Sequence, residues 1–263
     1  LIIFFITNSF FNLRFTEITK REGQLNLTKN ASNIVNELQK NSIIAQLLVN
    51  DLEITKALIS KDFSLLSDKF ARFIADISVA SITLLDKNGN LIAFSAKENF
   101  KKKILRQIFS HNANNEPETI MRVYRKEVND FGFFYSRQIE YEDRLLGVIL
   151  IEVDLKKFEQ AWIDSGELVF VTDSKGTIIL STEPTWRGLT EKQAFQIKKP
   201  ENGLKRAYNF TTEFTKLQGA NELPNAQTAL RFNRNISLLD WNISSFIDYS
   251  SIREKVNTIL AFE

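Results

Sequence analysis

Cysteine is absent from the 263 residues, and histidine occurs only once, at His111. Without thiols the chain has no disulfides, no thiolate metal ligands and no cysteine nucleophile. A single histidine excludes a metal site built on a histidine pair, and it leaves one candidate for the general base of a serine–histidine catalytic site. These absences argue against most enzyme classes, so we predict no catalytic site, no metal and no cofactor. Lack of cysteine also fits an extracytoplasmic bacterial domain.

Glycine and proline are scarce, with 9 and 4 residues respectively, which excludes collagen-like and proline-rich disordered classes. The excess of one charge over the other is small as well: the chain has 34 basic and 32 acidic residues, which gives a formal net charge of +2. Because nothing makes the chain a polycation, nucleic acid is not expected as a partner. The length allows one large domain or two modest ones.

Long apolar runs are missing except at the ends of the sequence. Residues 1–13, LIIFFITNSFFNL, carry no charge but fall short of the roughly 20 residues that span a bilayer. No basic segment precedes them and no small-residue cleavage site follows, as a signal peptide requires. We predict the end of a truncated transmembrane helix here; a buried helix of a soluble core is the alternative. Residues 259–262, Ile-Leu-Ala-Phe, turn apolar again, and we predict that residues 251–263 form a closing helix that enters a second span.

Residues 14–75 read as a long helical stalk. Apolar residues recur at helical spacing, for example Ile34 and Leu38, beside polar positions such as Lys40. Asn50 and Asp51 interrupt this pattern, and no proline occurs before Pro117, so long helices are permitted. We interpret the apolar stripe as a scaffold that packs on a core.

The chain contains an internal repeat. Residues 82–94 and 169–181 each combine an apolar strand, an Asp, a Gly three positions later and a second strand. The offset is a constant 87 positions for the equivalent residues Ile82 and Val169, Asp86 and Asp173, Gly89 and Gly176. An Asp that bonds the local backbone and a Gly with positive φ are typical of hairpin turns. Two copies at one offset predict two copies of one small domain.

A second repeated element supports this division. Residues 146–154 and 240–248 each form an apolar strand that ends in Asp and precedes a helix-like stretch. Strand-like segments at 133–139 and 229–236 complete the two copies. The predicted fold class is α+β, with a long N-terminal helix carrying two PAS-like antiparallel-sheet lobes. We assign the membrane-distal lobe to residues 76–160 and the membrane-proximal lobe to residues 161–250.

The order of these segments resembles the double Cache sensor region of bacterial transmembrane receptors. It is most similar to the DctB-like four-carbon dicarboxylate sensor histidine kinases over about residues 30–255. The likeness is carried by residues 43–51, 82–95, 132–139, 147–155 and 170–187. Its most specific part is a serine followed by Pro-x-Trp-Arg, here Ser181 and then residues 184–187.

The resemblance implies a ligand pocket in the distal lobe, between the sheet and the insert that follows the first hairpin. It assigns four ligand-binding candidates: Arg106, Tyr124, Ser136 and Glu152. A guanidinium can hold both oxygens of a carboxylate, and hydroxyls can hydrogen-bond it. Each candidate has an ordinary structural alternative. Glu152 departs from the family, which has Lys there, and either repels a ligand carboxylate, holds an ammonium, or pairs with a nearby Arg.

These features together predict the extracytoplasmic ligand-sensing region of a membrane-bound histidine kinase that binds a small, dicarboxylate-like organic anion. We expect a homodimer in the bacterial inner membrane, with this region periplasmic and any kinase domain beyond residue 263. The same input region also serves chemoreceptors and diguanylate cyclases, so those outputs are alternatives. A non-signalling, membrane-anchored interaction protein is the alternative from another class.

Overall fold

The computed structural model describes residues 2–77, 79–96, 118–126, 129–165, 167–197 and 229–248. For residues 2–13, 15, 118–121, 229 and 248 it describes the backbone alone. Two of the predictions above, the closing helix of residues 251–263 and the ligand contact of Arg106, lie outside the described residues.

Three helices open the chain: α1 (Ile2–Val49), α2 (Leu52–Ser60) and α3 (Leu66–Ile77). The predicted interruption at Asp51 is confirmed, because the Asp51 side chain caps α2 by accepting the amide of Glu53 at 2.9 Å. α1 and α3 are joined by the Lys40 ammonium, which donates to the carbonyl of Ile77 at 2.6 Å. Among the described residues, no helix has an apolar stretch long enough to cross a membrane.

The first sheet has five antiparallel strands: β1 (Ser81–Asp86), β2 (Leu91–Ala96), β3 (Glu118–Arg125), β4 (Asp130–Tyr141) and β5 (Arg144–Val153). Their order across the sheet is β2-β1-β5-β4-β3. Near-continuous burial of β1, β4 and β5 shows that both faces of the sheet are covered. On one of these faces Leu58 of α2 approaches Gly147.

The second sheet follows helix α4 (Lys156–Asp164) and has strands β6 (Leu168–Thr172), β7 (Ile178–Ser181), β8 (Ala229–Ile236) and β9 (Trp241–Asp248). Its order, β7-β6-β9-β8, repeats the first four strands of the first sheet. A 3₁₀ turn (Pro184–Trp186) and helix α5 (Glu191–Gln196) lie between β7 and β8. The predicted α+β class, with a long helix and two antiparallel sheets, is confirmed.

The two hairpin turns have the same geometry. The Asp86 carboxylate accepts the amides of Asn88 and Asn90, both at 2.8 Å, and Gly89 has φ 81°. Its counterpart Asp173 accepts the amides at positions 175 and 177 at 2.9 and 2.7 Å, before Gly176 with φ 75°. The predicted repeat is therefore a structural one, since every bonded position is shifted by the same number of residues.

The chain divides into two compact units, Ile34–Lys156 and Leu1–Asn33 together with Lys157–Glu263. We call the unit that contains the five-stranded sheet the first lobe and the other the second lobe. In the first lobe, Ile34 and Leu38 of α1 are fully buried. In the second lobe, Leu27 and Ala31 of the same helix are buried. The boundaries predicted from the sequence remain predictions.

Candidate functional site: the polar face of the first-lobe sheet

One face of the first-lobe sheet carries buried polar side chains, and we call it the polar face. Cross-strand pairing sets Ser81 opposite Glu152, and both Thr83 and Ser136 opposite Leu150. All four polar residues are at most 7% exposed. Residues on alternate positions of a strand share a face, so the strands line up these groups across their centre. Val148, Leu150 and Phe134 form the apolar part of the same face.

Charged side chains form a compact network at one end of the polar face. Arg125 of β3 donates to the Glu152 carboxylate at 2.6 Å and to the Asp130 carboxylate at 2.8 Å. Ser81 donates to the second oxygen of Glu152 at 3.0 Å, and the Lys156 ammonium lies 2.9 Å from Asp130. Two cations thus match two carboxylates, which is the arrangement that buried charges require.

Burial and pairing act on the Glu152 carboxyl in opposite directions. Burial raises the pKa of Glu152 above its ordinary value, while the charge of Arg125 and the hydrogen bond from Ser81 lower it in part. For Arg125, burial lowers the pKa, but the charges of Glu152 and Asp130 outweigh it and the net direction is upward. The guanidinium therefore stays charged, and the raised pKa of Glu152 makes its carboxyl easier to protonate than that of an exposed glutamate.

One donor on the polar face has no partner among the described residues. The Nε of Arg125 is buried and makes no hydrogen bond. Thr83 and Ser136, both only 2% exposed, bring two hydroxyls to the same face. Buried polar groups in folded proteins are nearly always satisfied. The unpaired Arg125 Nε, on a face that also carries two hydroxyls, therefore indicates a place where a polar molecule completes the structure.

The second lobe provides an internal comparison for these positions. Matching the strand registers makes Leu168, Phe170 and Phe246 the counterparts of Ser81, Thr83 and Glu152. In the second lobe these three residues belong to one hydrophobic cluster, in which the Phe170 and Phe246 rings stack at 5.9 Å. The module folds with apolar residues at these positions, so folding alone does not demand the polar set in the first lobe. This difference points to a binding role.

The structure brings some of the predicted site residues together and separates others. Ser136 and Glu152 lie on the polar face, on neighbouring strands. Tyr124 pairs with Phe131, and their rings are 4.8 Å apart on the opposite face. The Tyr124 side chain is 44% exposed and its hydroxyl bonds Asn129 at 2.5 Å. Of the three alternatives for Glu152, the contact present is the one with an arginine.

Sequence reasoning missed Ser81, Thr83, Arg125 and Asp130. The first two could have been found by aligning the repeat, because Leu168 and Phe170 stand at the equivalent positions. Arg125 and Asp130 are cross-strand partners, and nothing in the sequence fixes that register. Gly132 also contributes, since a Cβ there would lie 2.6 Å from the Phe134 ring and 3.5 Å from the Arg125 guanidinium carbon.

The Pro-x-Trp-Arg motif is structural and lies in the second lobe. Trp186 is 1% exposed and packs among Phe170, Ala194 and Phe246. Arg187 donates through Nε to the Glu159 carboxylate of α4 at 3.0 Å, and that carboxylate also accepts the Ser181 amide at 2.6 Å. Through Arg187 and Ser181, which both donate to Glu159, the motif links α4 to the end of β7. This shared contact explains why the serine and the arginine occur together, while the tryptophan fills the adjacent core.

A long N-terminal helix with two antiparallel-sheet lobes is the fold of solved bacterial sensor domains that this chain resembles. Among solved structures, the sensor domain of the V. cholerae histidine kinase DctB matches with a TM-score of 0.61 at 18% identity, covering 88% of this chain and 98% of that one. The sensory domain of the Campylobacter jejuni chemoreceptor Tlp3 with isoleucine bound matches with a TM-score of 0.57 at 13% identity, covering 93% and 98%.

By sequence, the chain is similar to the C4-dicarboxylate transport sensor protein DctB of Pseudomonas aeruginosa. The two are 25% identical over 130 residues, which are 49% of this chain and 20% of that protein. No family model matches the chain. The matched regions span between 20% and 29% of the length of its curated relatives. The resemblance to DctB-like sensor regions that the sequence predicted is confirmed.

Proposed function

We propose that this chain is the extracytoplasmic ligand-sensing region of a membrane-bound two-component sensor histidine kinase, and that its first lobe binds a small organic anion of the dicarboxylate type. The double Cache fold and the likeness to proteins named as dicarboxylate transport sensors support the sensory role. The observation that carries the proposal is the polar face, where the buried Nε of Arg125 has no partner among the described residues and the hydroxyls of Thr83 and Ser136 lie on the same face.

The electrostatics of the polar face favour an anion. Glu152 and Asp130 are already matched by Arg125 and Lys156, so the face does not present uncompensated negative charge. The donors that this face offers to a ligand are the Nε–H of Arg125 and the hydroxyls of Thr83 and Ser136, which can donate to a carboxylate. Arg106, from the insert, is proposed as a further guanidinium for the same ligand. Tyr124 remains a candidate only for a ligand that reaches the opposite face of β3.

An amino acid is the second candidate, and a specific observation favours it. Glu152 and Asp130 have oxygens on the polar face that can accept a hydrogen bond from an ammonium, while the free donors take the ligand carboxylate. The C. jejuni chemoreceptor domain of the same fold was solved with isoleucine bound. The two candidates differ in whether the ligand carries a positive charge.

Signalling in this proposal is a shift between two arrangements of the lobes. A ligand shifts such an equilibrium only by its difference in affinity for the two arrangements. The closing helix of residues 251–263 would pass the change to the membrane, in a periplasm-facing homodimer in the bacterial inner membrane. Chemoreceptor and diguanylate cyclase outputs are compatible with the same input region.

Calorimetric titration of the chain with succinate and malate, and in parallel with isoleucine and asparagine, tests the ligand class. A hydrogen bond to a charged group contributes about 1.5–3 kcal/mol, so Ser136→Ala and Thr83→Val, which each remove a hydroxyl that donates to the ligand carboxylate, should each weaken binding about tenfold to a hundredfold. Arg106→Ala removes a charged contact and should weaken it about tenfold to a hundredfold.

Ser245→Ala is the matched control, because it removes a hydroxyl from a residue 5% exposed in the second lobe and should leave affinity unchanged. Binding of amino acids but not dicarboxylates, with the same loss in Ser136→Ala, would keep the site and replace the ligand class. Binding that neither first-lobe hydroxyl variant weakens would overturn the site.

A further inference from the structure

A groove in the second lobe lies between α1 and the strand β8. A binding site there would be additional to the first-lobe site of the proposed function. Its volume is about 540 Å³, and its walls are residues 21–28 of the helix and residues 231–234 of the strand. β8 is the edge strand of the described sheet, so nothing described pairs with its outer side. This volume is in the range of small-molecule sites.

Helix and strand meet closely beside this groove because residue 23 is glycine. A Cβ at Gly23 would overlap the ring of Phe232 and would lie 2.9 Å from the side chain of Ile247. Phe232 and Leu27 are buried. The groove is therefore bounded by a packed contact between α1 and the sheet, which fixes the polar residues along its rim.

The rim is positively charged. Of the described residues that line it, three are arginines and none is acidic. Arg231 is neutralised by the Glu191 carboxylate of α5, 2.9 Å from one of its nitrogens. Arg21 and Arg234 have no carboxylate partner among the described residues. Arg234 is held across the groove by a hydrogen bond to the Thr28 hydroxyl at 2.9 Å, so strand and helix both position it.

We infer that this groove is a second binding site, for a small organic polyanion that carries at least two carboxylate or phosphate groups. Two guanidiniums that line one groove, Arg21 from α1 and Arg234 from β8, suit two acidic groups of one molecule, because each guanidinium can bind an oxyanion through two N–H donors. The side-chain amide of Gln24 adds a neutral donor on the helix wall. A single monovalent anion would leave one guanidinium unmatched.

Titration of the whole chain with citrate and with inorganic pyrophosphate, against sodium chloride of equal ionic strength, tests this site. We expect binding, and a loss of about tenfold or more in the double variant Arg21→Gln/Arg234→Gln. Arg14→Gln/Arg72→Gln, which removes two exposed arginines elsewhere, is the matched control and should retain affinity. Ser136→Ala should leave this binding unchanged, which separates it from the first-lobe site.

Binding of citrate alone would identify carboxylates as the ligand groups, and binding of pyrophosphate alone would identify phosphates; either supports the site. No binding beyond the chloride baseline, or an equal loss in the control variant, would overturn it. If the double variant does not fold, hydrogen exchange of the wild type decides the matter. Added anion should protect residues 229–236, and unchanged exchange there would refute the inference.

Discussion

At Glu152 the residue type expected from the family resemblance can be compared directly with the contacts in the structure. The family resemblance expects a cation at this position, and the structure supplies one from another strand, since Arg125 donates to the Glu152 carboxylate at 2.6 Å. The local charge is therefore balanced although the residue type is reversed. The cost of this arrangement is burial of the carboxylate, which raises the pKa of Glu152.

Glu152→Gln tests that shift through the pH dependence of stability. A carboxyl whose pKa is raised on folding contributes stability below its unfolded value of about 4.3, and this contribution is lost as pH rises through the folded value. The free energy of unfolding of the wild type, relative to Glu152→Gln, should therefore fall as the pH rises from about 4 through the raised pKa of Glu152. Urea unfolding at several pH values measures it.

Glu140→Gln serves as the control for this experiment, because it changes an exposed carboxylate on the same sheet. A wild type that instead gains stability relative to Glu152→Gln as pH rises would mean that the attraction of Arg125 outweighs burial.

At the scale of elements, α4 is held to the second sheet by charge as well as by packing. Its Glu159 is 3% exposed and binds both Arg187 and the Ser181 amide. Removing one partner of a buried ion pair leaves the other charge without compensation and typically costs about 3–5 kcal/mol. Arg187→Met should therefore lower the free energy of unfolding of the second lobe by about that amount.

The double variant Glu159→Gln/Arg187→Met should recover most of this loss, because no buried charge remains unmatched. Denaturant unfolding followed by tryptophan fluorescence reports on this lobe, since Trp162, Trp186 and Trp241 are all buried in it. Arg144→Met, at an exposed position, is the control. A double variant as unstable as Arg187→Met would show that the pair is not energetically coupled.

At the scale of the whole molecule, α1 contributes to the cores of both lobes. Among the residues of α1 whose burial is described, Gly23, Leu27 and Ala31 are buried in the second lobe, and from Ile34 onward the buried residues belong to the first lobe. The transmembrane interpretation of residues 1–13 predicts that deleting them leaves a soluble, folded protein. Deleting residues 1–33 should unfold the second lobe, because its core loses Leu27 and Ala31.

Circular dichroism and thermal unfolding of the two truncated proteins distinguish these outcomes. Unfolding after removal of residues 1–13 would make that segment part of the core and would contradict the transmembrane interpretation. A folded second lobe after removal of residues 1–33 would show that α1 is dispensable there.

The repeat and its turns could be predicted from the sequence because they depend on local chemistry. Asp86 and Gly89 lie three residues apart, and the bonds they make involve only the turn itself. The interruption at Asp51 is equally local, since its side chain caps the helix that begins at the next residue. Absence of cysteine and the single histidine restricted the chemistry without any reference to the fold.

The composition of the site was decided by the tertiary structure. Arg125 is 27 residues from Glu152, and Ser81 is 71 residues from it, yet both donate hydrogen bonds to its carboxylate. Alternation along a strand tells which residues share a face of that strand, so the sequence predicts that Ser136 and the next residue, Arg137, lie on opposite faces and that only one of them lines the pocket. The register between strands depends on packing of the whole sheet, and a shift of one residue turns every side chain to the other face. For this reason the sequence could nominate Tyr124 beside Ser136, and only the folded sheet could put them on opposite faces.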